Sequence, residues 1–494
     1  MGATTIGIDV GSSSIKIALL DVATGRSLMQ LTCPSEEMPI SSPRAGFAEQ
    51  SPDMWWEYVV EGIRRIGKQW PMSEVKAIGI SYQMHGLVCL DRQGEPLRDA
   101  IIWCDSRAVE LGREAMRSIG HDYCLEHTLN SPGNFTASKL AWVKRNEPEL
   151  FERISEFMLP GDYIVYRLTK QRQTTEGGLS EQILWDFKEG RRADFVADYY
   201  GIPTSLIPEA MPAIGIQAVT TAEIEAMLGI PSGTPIAYRA GDQPNNAFSL
   251  NVMEAGEIAA TAGTSGVVYG VSSTPKADPD SRVNTFLHVS HTASKPSYGI
   301  LLCINGTGIL NSWMRRQVAA DLSYDDINAL AATVPCGSEG VLVVPFGNGA
   351  ERVLGDRLTG ASIEGVDFNR HTRAHLLRAA QEGIAFSFMY GVEVMRDMGL
   401  QPSVIRAGKA NMMLSPIFRE TLATLIGARI ELFDTDGALG AARGAALGRG
   451  LYRSREECFR ELKLLETVEP REEWRKPLLE AYAAWKEILT NKLK

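Results

Sequence analysis

Two β-rich runs, each broken by a turn of glycine and small hydroxyl residues, constrain this chain more than any other feature. The first is Gly7-Ile8-Asp9-Val10-Gly11-Ser12-Ser13-Ser14-Ile15-Lys16-Ile17-Ala18-Leu19-Leu20. Aliphatic and β-branched residues on both sides of a short polar turn predict two antiparallel strands, not a strand followed by a helix. The second run covers residues 257–271, where Gly263-Thr264-Ser265-Gly266 separates two further apolar stretches. A hairpin at the start and its echo about 250 residues later predict duplicated α/β domains that begin alike and face one another across a cleft. The expected domains are residues 1–250 and 251–494. A short strand over residues 235–238 leads through Arg239-Ala240-Gly241-Asp242-Gln243-Pro244 into a helix just before that boundary.

Bulk properties agree with this division. The 494 residues exceed the roughly 250 to 300 at which a single core stops growing. With 44% hydrophobic and 22% charged residues there is apolar material for two cores. A formal net charge of -10 disfavours nucleic acid and anionic membrane as partners, since both need a concentrated basic surface. Seven cysteines, an odd number without a C-x-x-C pair, read as reduced thiols. No apolar run approaches the ~20 residues of a membrane span, and MGATTIGIDVG has no pattern of a secretory leader. The expectation is a cytoplasmic protein whose partners are small molecules, and a homodimer is compatible with it.

A turn of glycine and small hydroxyl residues lets backbone N–H groups and serine hydroxyls approach an anion closely. Gly11, Ser12 and Ser13 therefore read as a phosphate cradle, and Asp9 stands where a carboxylate would hold Mg²⁺ or its waters. Taken alone, the segment fits a plain polar hairpin equally well. Apolar residues 78–80 and 87–90 flank Ser81-Tyr82-Gln83-Met84-His85-Gly86, which places those side chains at a strand edge or cleft. Helices are predicted over residues 136–146 and 147–157, with Pro148 in the first turn of the second. Near the end, Trp474, Leu478, Leu479, Tyr482, Trp485, Ile488 and Leu489 recur at helical spacing and predict a packing face. His371 and His375 lack a surrounding metal motif and read as the polar start of a helix. Trp55-Trp56 reads as helix packing.

In order along the chain, Gly7-Ile8-Asp9-Val10-Gly11-Ser12-Ser13, Gln83-Met84-His85-Gly86, Ile102-Trp103-Cys104-Asp105-Ser106-Arg107, Gly241-Asp242-Gln243, Thr261-Ala262-Gly263-Thr264-Ser265-Gly266 and Ala407-Gly408-Lys409-Ala410 resemble the FGGY carbohydrate kinases, relatives of hexokinase, actin and the Hsp70 ATPase domain. The resemblance runs nearly end to end. It implies two actin-like ATPase domains of ribonuclease H-like α/β fold, with ATP and Mg²⁺ in the cleft between them. It further implies that Asp242 is the general base for a sugar hydroxyl, although an aspartate at this place also suits a helix N-cap. Gly263, Thr264 and Ser265 would form a second phosphate clamp. Gly308, Gly408 and Lys409 would lie on the nucleotide side, Lys409 interrupting what is commonly a Gly-Gly-Gly-Ala run.

Within that family the Gln83-Met84-His85-Gly86 segment is similar to that of xylulokinases, whereas glycerol kinases carry an Arg-Glu pair there. Met84 and His85 would then contact the sugar, His85 as a hydrogen-bonding group. Gln243 stands where xylulokinases usually have Asn, a longer amide beside the base. The implied reaction is in-line transfer of the γ-phosphoryl group of ATP to a small sugar, D-xylulose first, with L-ribulose, L-fuculose and gluconate as alternatives. A nucleotide-driven clamp like actin or Hsp70 is the reading from a different class.

Overall fold

In the computed structural model, which describes residues 2–494, the first hairpin forms as its pattern predicts. Strands β1 (Thr4–Val10) and β2 (Ile15–Asp21) pair antiparallel, with Asp9 opposite Lys16. The Gly11 N–H donates to the Ser14 carbonyl at 3.1 Å and closes the turn. Ile6, Ile8 and Val10 are fully buried, as are Ile15 and Ile17. Strand β3 (Ser27–Cys33) extends the hairpin, and β4 (Val75–Tyr82) lies parallel to β1 on its other side. Strands β5 (Ile214–Val219) and β6 (Pro235–Gly241) complete a six-stranded sheet of order β5-β6-β4-β1-β2-β3.

The second hairpin, β7 (Glu257–Ala262) and β8 (Gly266–Ser272), seeds a second sheet of the same plan. With β9 (Asn284–Leu287), β10 (Tyr298–Ile304), β11 (Val404–Gly408), β12 (Arg429–Phe433) and β13 (Leu464–Val468) its order is β9-β10-β8-β7-β11-β12-β13. Apart from the added β9, each sheet has three antiparallel strands, two further parallel ones and an antiparallel edge. The echo between the hairpins is thus an echo of whole sheets, one in each of two domains.

Helix α1 (Pro52–Gly67) buries Trp55 and Trp56 together with Val59, Ile63 and Ile66, so the tryptophan pair is packing. Helix α2 (Thr136–Asn146) matches its predicted bounds. The helix expected over residues 147–157 does not form. Only Pro148–Phe151 is helical, and Glu156–Met158 is a strand antiparallel to Val88–Leu90. Phe157 and Met158 are fully buried there, so tertiary burial of a short apolar run ended by Pro160 overrides the helical pattern.

Two helices cross between the domains. Helix α3 (Asp242–Ser249) follows β6, and after α4 (Gly308–Gln317) and α5 (Arg373–Asp397) its counterpart α6 (Gly437–Gly448) follows β12. Although α6 belongs to the second half of the chain, it lies on the first sheet. A Cβ on Gly7 would overlap the Ala438 carbonyl oxygen, and one on Gly79 that of Ala441. The two helices are tied by Asn245 Nδ2 to the Gly437 carbonyl and by Ser249 Oγ to the Asp436 carbonyl, both at 2.9 Å. Helix α7 (Glu472–Lys492) buries Leu478, Tyr482, Trp485 and Leu489; Leu479, expected in that face, is exposed on the opposite one. Among the described residues no helix is long and apolar enough to cross a membrane.

Candidate active site

The parallel pairing of β1 with β4 sets Asp9 beside Ser81, whose hydroxyl donates to Asp9 Oδ1 at 2.8 Å. Asp242 is the first residue of α3. Gly241 holds the cap position and no side chain caps the helix, so Asp242 is not the N-cap. Both carboxylates line one cavity of about 340 Å³ with Lys16, Gln243, Gly408 and Asp436. Burial pushes the Asp242 carboxyl up to about 7, and the negative charge of Asp9 adds to the shift. Burial also raises Asp9, against the Ser81 hydrogen bond and the Lys16 charge that lower it. Asp9, Asp242 and Asp436 share this lining with Lys16 without forming a three-ligand metal cluster among the described residues; Asp9 offers the hard carboxylate oxygens that Mg²⁺ takes. The Gln243 side-chain oxygen is buried without a partner.

A second cavity of about 580 Å³ adjoins the first, and Ala262 and Asn411 line both. Gly263, Thr264 and Gly308 are in its wall. The start of α4 docks on the second turn, with the Gly308 N–H donating to the Gly263 carbonyl at 2.9 Å and the Ile309 N–H to that of Thr264 at 3.1 Å. Thr264 and Ser265 stay exposed at the tip. Gly408, at the end of β11, has open space where a side chain would be. Lys409 does not join the lining of either cavity; it turns to Glu466 on β13 at 3.0 Å.

On the other side of Asp242, His85 is held in left-handed backbone conformation at φ 61°. Its Nδ1 lies 2.8 Å from the Glu181 carbonyl oxygen, which can only accept, so Nδ1 carries the proton and Nε2 is left bare. Burial drives the ring down to about 3 and keeps it neutral. The ring meets Phe135 edge-on at 4.8 Å and lies 5.3 Å from Phe286. Met84 is only 4% exposed and packs on Gly241, where a Cβ would stand 2.5 Å from its Cγ. It thus props the turn that carries Asp242. Glu181, also buried, accepts from the Tyr82 hydroxyl at 2.6 Å, and its carboxyl is pushed well above the usual range by burial.

Sequence reading missed several groups here. Lys139 is fully buried and donates to the carbonyls of His85 at 2.8 Å and Ile102 at 3.0 Å, joining the two motif segments; burial lowers it to about 7. Trp103 is 52% exposed and directs Nε1 to Ser12 Oγ at 3.4 Å. Trp103 stood in a matched motif and Lys16 in the first hairpin, so a signal existed for both. Glu181 and Lys139 carried none. His375 caps the start of α5, its Nδ1 accepting from the Thr372 N–H at 3.1 Å, whereas His371 closes the preceding turn, its Nδ1 accepting from the Asp367 N–H at 2.9 Å.

Residues 4–249 match the N-terminal domain of the FGGY family of carbohydrate kinases, and residues 258–448 match its C-terminal domain. The chain belongs to the FGGY family of carbohydrate kinases. It is 28% identical over 460 residues to the xylulose kinase of Bacillus subtilis (strain 168), covering 92% of this chain and 90% of that protein. It is 30% identical over 459 residues to a probable L-xylulose kinase of Pasteurella multocida (strain Pm70), covering 90% of each. The crystal structure of xylulose kinase from Rhodospirillum rubrum superimposes with a TM-score of 0.89 at 25% identity over 99% of this chain and 98% of that one. The cleft described above is therefore that of a two-domain, actin-like FGGY kinase that uses ATP as cosubstrate.

Proposed function

We propose that this FGGY kinase phosphorylates D-xylulose, with Asp242 as the general base for the attacking hydroxyl. The observation that carries the reading is the position of Asp242: it opens a helix at the floor of the cleft, beside Asp9 and between the His85 side and the two hairpins. A sugar hydroxyl is barely acidic, so a fixed carboxylate must accept its proton as the bond to phosphorus forms. A carboxyl raised to about 7 is basic enough to take that proton and is still ionised in good part at neutral pH.

In this reading the first domain holds the sugar. Trp103 offers an aromatic wall, His85 offers Nε2 as an acceptor for a sugar hydroxyl, and Gln243 offers an amide oxygen that has no other partner. Met84 acts through the Gly241 turn rather than by direct contact. The Gly11-Ser12-Ser13 turn with Lys16, and the Gly263-Thr264-Ser265 turn opposite, clamp the phosphates. Adenosine extends past Gly308 and Gly408 into the larger cavity. Asp9 would hold Mg²⁺, which when bound supplies positive charge against the phosphate oxygens. Lys409, engaged with Glu466, is left out of the nucleotide site.

The names of the relatives and the Gln83-Met84-His85-Gly86 segment support a ketopentose; Gln243, one methylene longer than the usual Asn, is the reason to test other sugars beside it. The test is sugar-dependent ADP release across D-xylulose, L-xylulose, L-ribulose, L-fuculose, gluconate and glycerol. D-xylulose should give the highest kcat/KM. A strong response to another sugar with none to D-xylulose would reject the substrate, and ADP release indifferent to every sugar would reject the kinase reading in favour of a nucleotide-driven clamp.

A further inference from the structure

We propose that Arg352, a residue of the second domain, reaches across the cleft and donates hydrogen bonds to oxygen atoms of the bound sugar. This rests on the proposed reading that the first domain holds the sugar, with His85 accepting from one of its hydroxyls.

The backbone around Arg352 is fixed. The fully buried Glu351 accepts from the N–H groups of Asn305 and Gly306, each at 3.0 Å, and its own N–H donates to the Arg357 carbonyl at 3.1 Å. On the other side Val353 and Leu354 are buried in the core of the second domain. Only the arginine side chain leaves this anchored turn. Its Nη2 arrives 3.5 Å from where a Cβ on Gly133 would stand, in the first domain and two residues from Phe135, whose ring lies against His85. Its positive charge is felt at His85 and at Cys303, and Cys303 also feels the Asp242 carboxylate. The guanidinium thus stands at the first-domain wall formed by Gly133 and Phe135, the ring against which His85 packs.

The guanidinium has no work within the chain. Among the described residues no carboxylate pairs with it, no group accepts from its side chain, and its Nε is buried without a partner. Arg107 in the first domain, by contrast, pairs with Asp105 and Glu49 at 2.7 Å, although its Nη1 is also buried without a partner. A buried N–H without an acceptor is costly, and a ligand rich in oxygen acceptors removes that cost. Arg352 lines neither of the two cavities assigned to the nucleotide, and its Nη2 instead meets the first domain at Gly133. A contact supplied by the second domain to a sugar held by the first also links sugar binding to closure of the cleft.

The test compares wild type with Arg352→Met, Arg352→Lys and Arg352→Gln in steady-state assays with D-xylulose, or with whichever sugar the wild type prefers. The expected result is a rise of roughly 10- to 100-fold in sugar KM for the Met and Gln variants, smaller for Lys, while the KM for ATP moves by less than about twofold. Unchanged sugar KM, or an ATP KM that rises in step with it, overturns the proposal. Melting curves select variants that fold, and Arg352→Lys keeps the test alive if the neutral variants do not. Wild type without activity on any sugar would remove both this inference and the kinase reading; active wild type with unaffected variants would remove this inference alone.

Discussion

Asp242 shows how much of a residue's chemistry is local and how much is not. Gly241-Asp242 before a helix is visible in sequence, but the shift of its carboxyl to about 7 needs burial and the charge of Asp9, 233 positions away. The ionised form is the base, so kcat/KM for the sugar should fall as pH drops below about 7. Asp9→Asn removes the second cause of the shift and should move that limb to lower pH, read from the pH dependence of whatever turnover remains; a limb that stays in place would separate the two residues. Lys139 and Glu181 were illegible for the same reason. Lys139 acts on carbonyls 54 and 37 residues away, and Glu181 on a histidine ring 96 residues away. Lys139→Met leaves two buried carbonyls without donors and should destabilise the fold by about 2 kcal/mol in chemical denaturation, with a raised sugar KM because His85 loses its tether.

Elements with a strong period were readable from their own residues. Both hairpins announce themselves by aliphatic strands around a small polar turn, and α2 by apolar spacing within its own bounds. Residues 147–157 failed because strand pairing with Val88–Leu90 outweighs a helical pattern that is too short to stand alone. The placement of α6 had no readable signal. Its abundance of glycine and alanine only makes sense once it lies against β1 and β4, where Thr5 Oγ1 donates to the Ala442 carbonyl at 2.9 Å. Gly7→Val would force that helix off the sheet and should cost about 3 kcal/mol or more, seen as a large drop in melting temperature. A Gly7→Val protein as stable as wild type would contradict the described packing.

At the scale of the molecule, two sheets of one plan hold opposite walls of a cleft, and α3 and α6 cross between them where Asn245 and Ser249 tie the helices together. The duplicated plan was legible from two hairpins; the crossing of the helices was not, since it joins residues about 190 positions apart. In the proposed mechanism, closure about this crossing would bring the second turn toward the sugar side, where Arg352 already meets the first domain at Gly133. Small-angle scattering should therefore show a smaller radius of gyration with ATP analogue and sugar together than with either alone. Equal radii in all states would argue against closure.

The central claim is that the cleft transfers a phosphoryl group to a sugar with Asp242 as base. The most direct test is sugar-dependent ADP release by Asp242→Asn beside wild type at pH 8, with ATP binding measured on both. The predicted result is a loss of roughly 10²- to 10⁴-fold in turnover with ATP affinity retained; an Asn variant that turns over within a few-fold of wild type would contradict it.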